Sequence, residues 1–243
     1  MEWKTKISNF NGKDETVKGF DLNDLIGKVS FSEMIFILLK GEKPKENEIK
    51  LMDAILVATA EHGINTPSTL SARVSASATH NLISSLTAGI SSIGQYHGGA
   101  IESLAQILQE NNSKSAKDIV QEFTSKNQRL PGFGHKIYET DPRAVRLFAV
   151  ANDLGINSTY TKLTKELEQE LEQVKGKKLC INIDGCLAAL ISELNFNWKI
   201  ANIFFVLPRI LGLTAHIQEE IEEEKPYRRL NQEDIKYESN SNS

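Results

Sequence analysis

Between Pro131 and Arg143 the chain reads PGFGHKIYETDPR, a single histidine framed by glycines with an arginine eight residues further on. Gly132 and Gly134 allow positive φ and a close backbone approach to a ligand beside His135. Asp141-Pro142 restarts the chain as a helix, with Asp141 as cap and Pro142 at the first helical position. Arg143 then falls in the first turn, where its guanidinium can hold a carboxylate through paired N–H donors. A glycine-rich loop with one histidine is also a common connector, so this stretch alone leaves site and connector both open.

Three further polar features lie in glycine-flanked turns or at helix beginnings: Glu61-His62-Gly63, His97-Gly98-Gly99 and Asn182-Ile183-Asp184-Gly185. Three histidines and a carboxylate are also metal-ligand types. No HxxxH or HExxH spacing is present, so a metal would depend on distant convergence, and none is expected. His80 reads as an ordinary helix residue, and His216 as a core histidine on an apolar face after Arg209.

The elements that must carry these groups are helical in pattern. Lys4 to Phe10 and Thr16 to Phe20 predict a short hairpin around Asn11-Gly12. After it, Ser30-Phe31-Ser32-Glu33 is a capping box opening an apolar helix that ends at Gly41. Glu46 to Glu61 has helical spacing and is closed by Gly63. Pro67 to Ile93 is rich in Ser, Ala and Gly, which lets helices approach closely; Asn81 to Gly94 reads equally as its tail or as a second helix. Further helices are expected at Ala100 to Gln109, Ser115 to Thr124, Ala144 to Leu154, Thr159 to Lys175 and Cys186 to Leu194. The last spans Ile200 to Glu219, kinked or restarted at Pro208. The charged Thr159 to Lys175 reads as a solvated face. The terminal Glu238 to Ser243 is expected to be disordered.

The 243 residues suffice for one large domain or two modest ones. A hydrophobic fraction of 40% with 25% charged residues fits an ordinary globular protein. Net charge is -4 without a basic stripe, which argues against nucleic acid, so an anionic substrate needs local arginines. A polar N-terminus predicts no secretory signal, and no membrane span is expected. Cys180 and Cys186 read as buried thiols in a cytoplasmic protein.

The segment EHGINTPSTLSARVSASATHNLISSLTAGISSIGQYHGGAIESL, followed in order by PGFGH with DPR, NIDG, LPRILGLTAHIQEE and KPYRRL, resembles the citrate synthase family over nearly the whole chain. That resemblance implies a mainly α, two-domain fold with a short N-terminal β-hairpin. Residues 1–97 and 195–243 would form a large helical domain and 98–194 a small one. It implies carbon–carbon chemistry between an acyl-CoA and a 2-oxo acid. Asp184 would be the base at the acetyl methyl group, His97 the donor to the enolate oxygen, and His135 the donor to the ketone oxygen. His62, Arg143 and Arg209 would bind the oxo acid. Arg228, with Arg229 as its competitor, would reach across a homodimer interface. The coenzyme A thioester would be substrate, with no permanently bound cofactor.

The chain is shorter than full-length citrate synthases and in this is similar to citryl-CoA lyases and to the lyase module of ATP citrate lyase. Cleavage of citryl-CoA to acetyl-CoA and oxaloacetate is therefore expected, with a citryl-CoA synthetase as a conceivable partner. Citrate synthase or 2-methylcitrate synthase activity is the alternative, and a non-catalytic helical regulatory subunit a further one. Where the family has a basic residue between GH and DP, this chain has Glu139, so Lys136 is the candidate contact for the CoA phosphates.

Overall fold

The computed structural model describes residues 2–238. The expectation placed on the tail therefore lies, Glu238 apart, outside the described residues. At the N-terminus, β1 (Ser8–Phe10), β2 (Glu15–Val17) and β3 (Phe20–Asp21) form an antiparallel sheet in that order, with Ser8 opposite Val17 and Val17 opposite Phe20. The first turn is the expected one: Asn11 Oδ1 accepts from the N–H groups of Lys13 and Asp14 at 3.0 and 2.8 Å. The third strand was not expected. Lys18 and Gly19 both have positive φ, 53° and 86°, the requirement of a two-residue hairpin turn, so Phe20 begins a new strand.

Asp21 caps α1 (Leu22–Leu25), and Ser30 caps α2 (Phe31–Lys40). Both halves of the capping box form: Ser30 N–H donates to Glu33 Oε2 at 2.7 Å, and Glu33 N–H to Ser30 Oγ at 3.2 Å. Gly41, at φ 79°, ends α2 in the left-handed conformation. α3 (Glu46–Thr59) stops two residues short of the expected Glu61, which leaves Glu61-His62-Gly63 outside the helix.

The small-residue stretch is two helices, α4 (Pro67–Thr79) and α5 (Leu82–Ser91). His80 is not a helix residue: it ends α4 at φ 46°, ψ 34°, and Asn81 caps α5 by accepting from Ser84 N–H. Close packing follows from composition, since a Cβ on Gly89 would lie 3.0 Å from Ala72 Cβ and 3.0 Å from the Ser68 carbonyl oxygen.

α6 (Ala100–Glu110), α7 (Ala116–Ser125), α8 (Pro142–Asp153), α9 (Thr159–Lys175) and α10 (Ile183–Glu193) follow as the pattern predicts. α10 begins three residues earlier than expected, because Asn182 caps it by accepting from Gly185 N–H at 3.1 Å. It is apolar all round and buried from Gly185 to Ser192, as befits a core helix. α11 (Ile203–Glu223) passes through Pro208 without ending. Trp198–Glu223 is long and apolar enough by composition to cross a membrane. Phe204, Phe205, Leu213 and Ile217 on it are buried, the pattern of a core helix.

Backbone contacts gather the chain into two compact units, residues 2–59 with Gly98–Phe205, and Ala60–His97 with residues 206–238. In the first unit, Phe36, Phe196 and Phe204 pack with ring centroids 4.9 and 4.8 Å apart. In the second, Ala72, Ala76, Leu213 and Ile217 form the buried cluster.

Candidate active site

The first unit holds His135, Lys136, Arg143 and Asp184, and its backbone brings their loops together. Gly134 N–H donates to the Cys180 carbonyl at 2.7 Å, and Asn182 N–H to the Gly132 carbonyl at 3.1 Å. Asn182 Nδ2 also donates to the Gly134 carbonyl at 2.9 Å. Gly132 and Gly134 take φ of 83° and 88°. A Cβ on Gly185 would overlap the Gly132 carbonyl oxygen, so the histidine loop and the start of α10 meet backbone to backbone.

His135 Nδ1 accepts from the Ile137 and Tyr138 N–H groups, both at 3.1 Å. The neutral ring therefore carries its proton on Nε2 and presents a donor. Asp141, wholly buried, links two helix starts. Its carboxylate accepts from Arg143 N–H, Nε and NH2 at 3.0, 3.1 and 2.9 Å, and from Ile183 N–H at 3.0 Å. Burial alone would raise its pKa, but the Arg143 hydrogen bonds and charge outweigh this and hold it below the usual value.

One residue beyond Ile183, burial pushes the Asp184 carboxyl up to about 6; the Asp141 charge adds to this and Arg143 opposes it. Asp184 is thus a carboxyl near the midpoint of its titration at mildly acidic pH, the condition for proton transfer.

Beside His135 lies a cavity of about 500 Å³ lined by Arg129, Lys136, Lys175 and Lys177 together with Phe123, Phe133, Leu171 and Leu179. Cations at the rim and apolar walls suit an anionic ligand with a flat apolar part. The sequence reading singled out Lys136 alone, taking Thr159 to Lys175 for a solvated face. Glu139 is exposed and does not line this cavity.

The second unit holds His62, His97, Arg209 and Arg228. His97 closes a turn with Gly94 and is held by Ser68 Oγ, 2.8 Å from its Nε2. Burial, then the Arg209 charge, lowers its pKa and favours the neutral ring. Ser68 is wholly buried and was not foreseen; no local signal marks a serine in the first turn of α4. Arg209 is also wholly buried, with Glu61 Oε2 3.7 Å from its NH1. His62 Nδ1 donates to the Glu61 carbonyl at 2.7 Å.

Arg228 is engaged within its own chain. Its Nε and NH2 donate to the two oxygens of buried Glu220, each at 2.7 Å, and Arg73 Nε donates to Glu220 Oε2 at 2.7 Å. Arg229 instead lies over the exposed Tyr227 ring, 4.6 Å from its centroid. Among the described residues, no group of three or more His, Cys, Asp or Glu is placed to hold a metal ion.

Residues 30–230 match the family described as citrate synthase, C-terminal domain. A curated relative named citrate synthase, from Heyndrickxia coagulans, is 30% identical over 207 residues, 82% of this chain and 55% of the relative. The chain spans about half the length of the curated relatives it matches. Among solved structures, the citryl-CoA lyase from Hydrogenobacter thermophilus is similar with a TM-score of 0.93 at 39% identity, covering 98% of this chain and 94% of that one. An ATP citrate lyase from Methanothrix soehngenii, in complex with citrate and coenzyme A, is similar with a TM-score of 0.84 at 26% identity, covering all of this chain and 42% of that one.

Proposed function

This chain belongs to the citrate synthase family, and from that premise we propose that it interconverts citryl-CoA with acetyl-CoA and oxaloacetate, acting as a citryl-CoA lyase. The observation that carries the chemistry is the Asp184 carboxyl, raised to about 6, on a helix start locked to the His135 loop by the Gly132–Gly185 contact. The likeness to a citryl-CoA lyase over nearly the full length of both chains supports the lyase assignment over its alternative.

Written toward condensation, Asp184 takes a methyl proton of the acetyl thioester, and the C–H pair becomes an enolate. His97, neutral and oriented by Ser68, donates to the enolate oxygen as charge develops there. The enolate carbon then bonds to the ketone carbon of oxaloacetate while the carbonyl π pair moves to oxygen, which takes the proton from His135 Nε2. Asp184 ends with one proton more and His135 with one fewer; a compensating proton exchange with solvent restores both groups when product leaves, and no net proton or electron is gained or lost. Cleavage retraces these steps. Because both directions pass through the same protonation state of the site, both values of kcat/KM rise with pH through the Asp184 pKa.

His62, Arg143 and Arg209 bind the oxo acid, with charge-assisted hydrogen bonds fixing its carboxylates. Arg143 exchanges its Asp141 partner for substrate in part. Arg129, Lys136, Lys175 and Lys177 meet the phosphates of coenzyme A, and the scheme calls for no resident cofactor. The protein is a cytoplasmic homodimer, for which the exposed Leu70, Val74, Leu82 and Ile83 on α4 and α5 supply an apolar face. Of the two terminal arginines we assign Arg229 to the neighbouring site, since Arg228 is bound to Glu220.

Hydrolysis of citryl-CoA to citrate is the second reading, favoured by the 30% identity to a relative named citrate synthase. Product analysis from citryl-CoA separates the two. Oxaloacetate, detected by NADH oxidation through malate dehydrogenase, together with acetyl-CoA marks a lyase; citrate with free coenzyme A thiol marks a synthase. Absence of both, and of thiol release from acetyl-CoA plus oxaloacetate, refutes the proposal.

A further inference from the structure

One face of α11 meets the turn that carries His62. Arg209, Gly212 and His216 are spaced three and four residues apart and so share a stripe of the helix. A Cβ on Gly212 would overlap the Ala60 carbonyl oxygen and lie 2.8 Å from Glu61 Oε2, so helix backbone and turn are in direct contact. A buried guanidinium such as Arg209 requires a counter-charge, and the Glu61 carboxylate stands 3.7 Å away.

The other oxygen of Glu61 accepts from His216 Nε2 at 3.1 Å and from the Gly63 N–H. One carboxylate thus ties Arg209, His216 and the turn at Gly63, whose φ of 78° reverses the chain just after His62. Burial alone would raise the Glu61 pKa; the hydrogen bonds from His216 and Gly63, with the Arg209 charge, outweigh it and keep the group ionised. His216 is itself backed on its far side, with Nδ1 3.5 Å from Arg73 NH1 and 3.9 Å from Glu219 Oε2.

We propose that Glu61 and His216 are positioning residues: they set His62 and Arg209 relative to each other before the oxo-acid carboxylates arrive, and so govern affinity for that half of the substrate. This rests on the oxo-acid role assigned above to His62 and Arg209. Neither Glu61 nor His216 touches a reacting atom.

The test compares His216→Leu with His216→Gln, whose amide nitrogen reaches the place of Nε2. Calorimetry with oxaloacetate is expected to show about tenfold weaker binding for the leucine variant, the worth of one charge-assisted hydrogen bond, and recovery in the glutamine variant. In the condensation assay the KM for oxaloacetate rises in step, while the KM for acetyl-CoA is unchanged and kcat falls by less than about threefold. Unchanged oxaloacetate binding in the leucine variant, or no recovery in the glutamine variant, overturns the proposal.

A second readout needs no substrate. Amide exchange at Gly63 is expected to quicken about tenfold in His216→Leu and to return toward wild type in His216→Gln. Glu61→Gln, which keeps the shape of the side chain, provides the same readout should the leucine variant not fold. If the wild type neither binds oxaloacetate nor turns over, the proposed function fails, and the exchange rates alone decide whether the positioning pair exists; unchanged exchange overturns it.

Discussion

Replacing Asp184 by asparagine should make the protein inactive and, at neutral pH, more stable. The carboxyl titrates near 6 in the folded chain against an ordinary value of 3.8. Ionisation is therefore harder in the folded state, and the stability this group contributes is full below about pH 4 and is lost as pH rises through 6. A shift of about two units corresponds to about 3 kcal/mol, all of which an asparagine, which never ionises, recovers. For a chain of this size that is a rise of roughly 5–10 °C in Tm at pH 8, shrinking toward zero at pH 4. Scanning calorimetry of both proteins across this range measures it. Loss of the general base should lower kcat by about 10²- to 10⁴-fold, while wild-type kcat/KM rises with pH through about 6. A Tm difference that does not change with pH, or an asparagine variant with near-normal turnover, would refute the idea that burial has tuned Asp184 for proton transfer.

The two terminal arginines should part company. Arg228→Leu removes two of the hydrogen bonds to Glu220 and is expected to cost about 1–2 kcal/mol, read by urea denaturation, because Arg73 still partners the buried carboxylate. Arg229→Leu should leave Tm within about 1 °C yet depress activity, since surface changes away from packed groups scarcely alter stability. Ser68→Ala removes one contact that orients the His97 ring and should lower kcat about tenfold with little change in KM, the mark of an interaction made in the transition state. Gly185→Ala forces a methyl group into the Gly132 carbonyl; a loss of at least about 3 kcal/mol in denaturant titrations is expected.

What could be seen in the sequence was decided locally. Ser30 with Glu33, Gly41 after α2 and Asp141-Pro142 before α8 each satisfy backbone groups within a turn, and each does in the structure what its spelling predicts. The histidine loop was legible for the same reason, since only glycine takes positive φ so readily on either side of Phe133. His80 was misjudged because a single non-glycine residue in the left-handed region leaves no compositional trace. The start of β3 was missed because Lys18-Gly19 is a turn whose first residue is disguised. Ser68, Glu220 and the cations lining the cavity beside His135 depend on partners far along the chain, as with Ser68 and His97, 29 residues apart. Such pairings have no period to read.

The contact between Gly132 and Gly185 gives this architecture a particular kind of latitude. Two loops that meet through side chains drift apart or together whenever those side chains mutate. Here main chain meets main chain, with the Leu104 and Ile181 side chains beside it, so the spacing between the histidine loop and the start of α10 is set largely by backbone atoms that no substitution alters. Substitutions at cavity-lining residues outside the loop, such as Leu171 or Phe123, therefore leave this backbone contact between the elements that carry His135 and Asp184 in place. Evolution, or an engineer, can revise the lock around this pair without recutting the bolt.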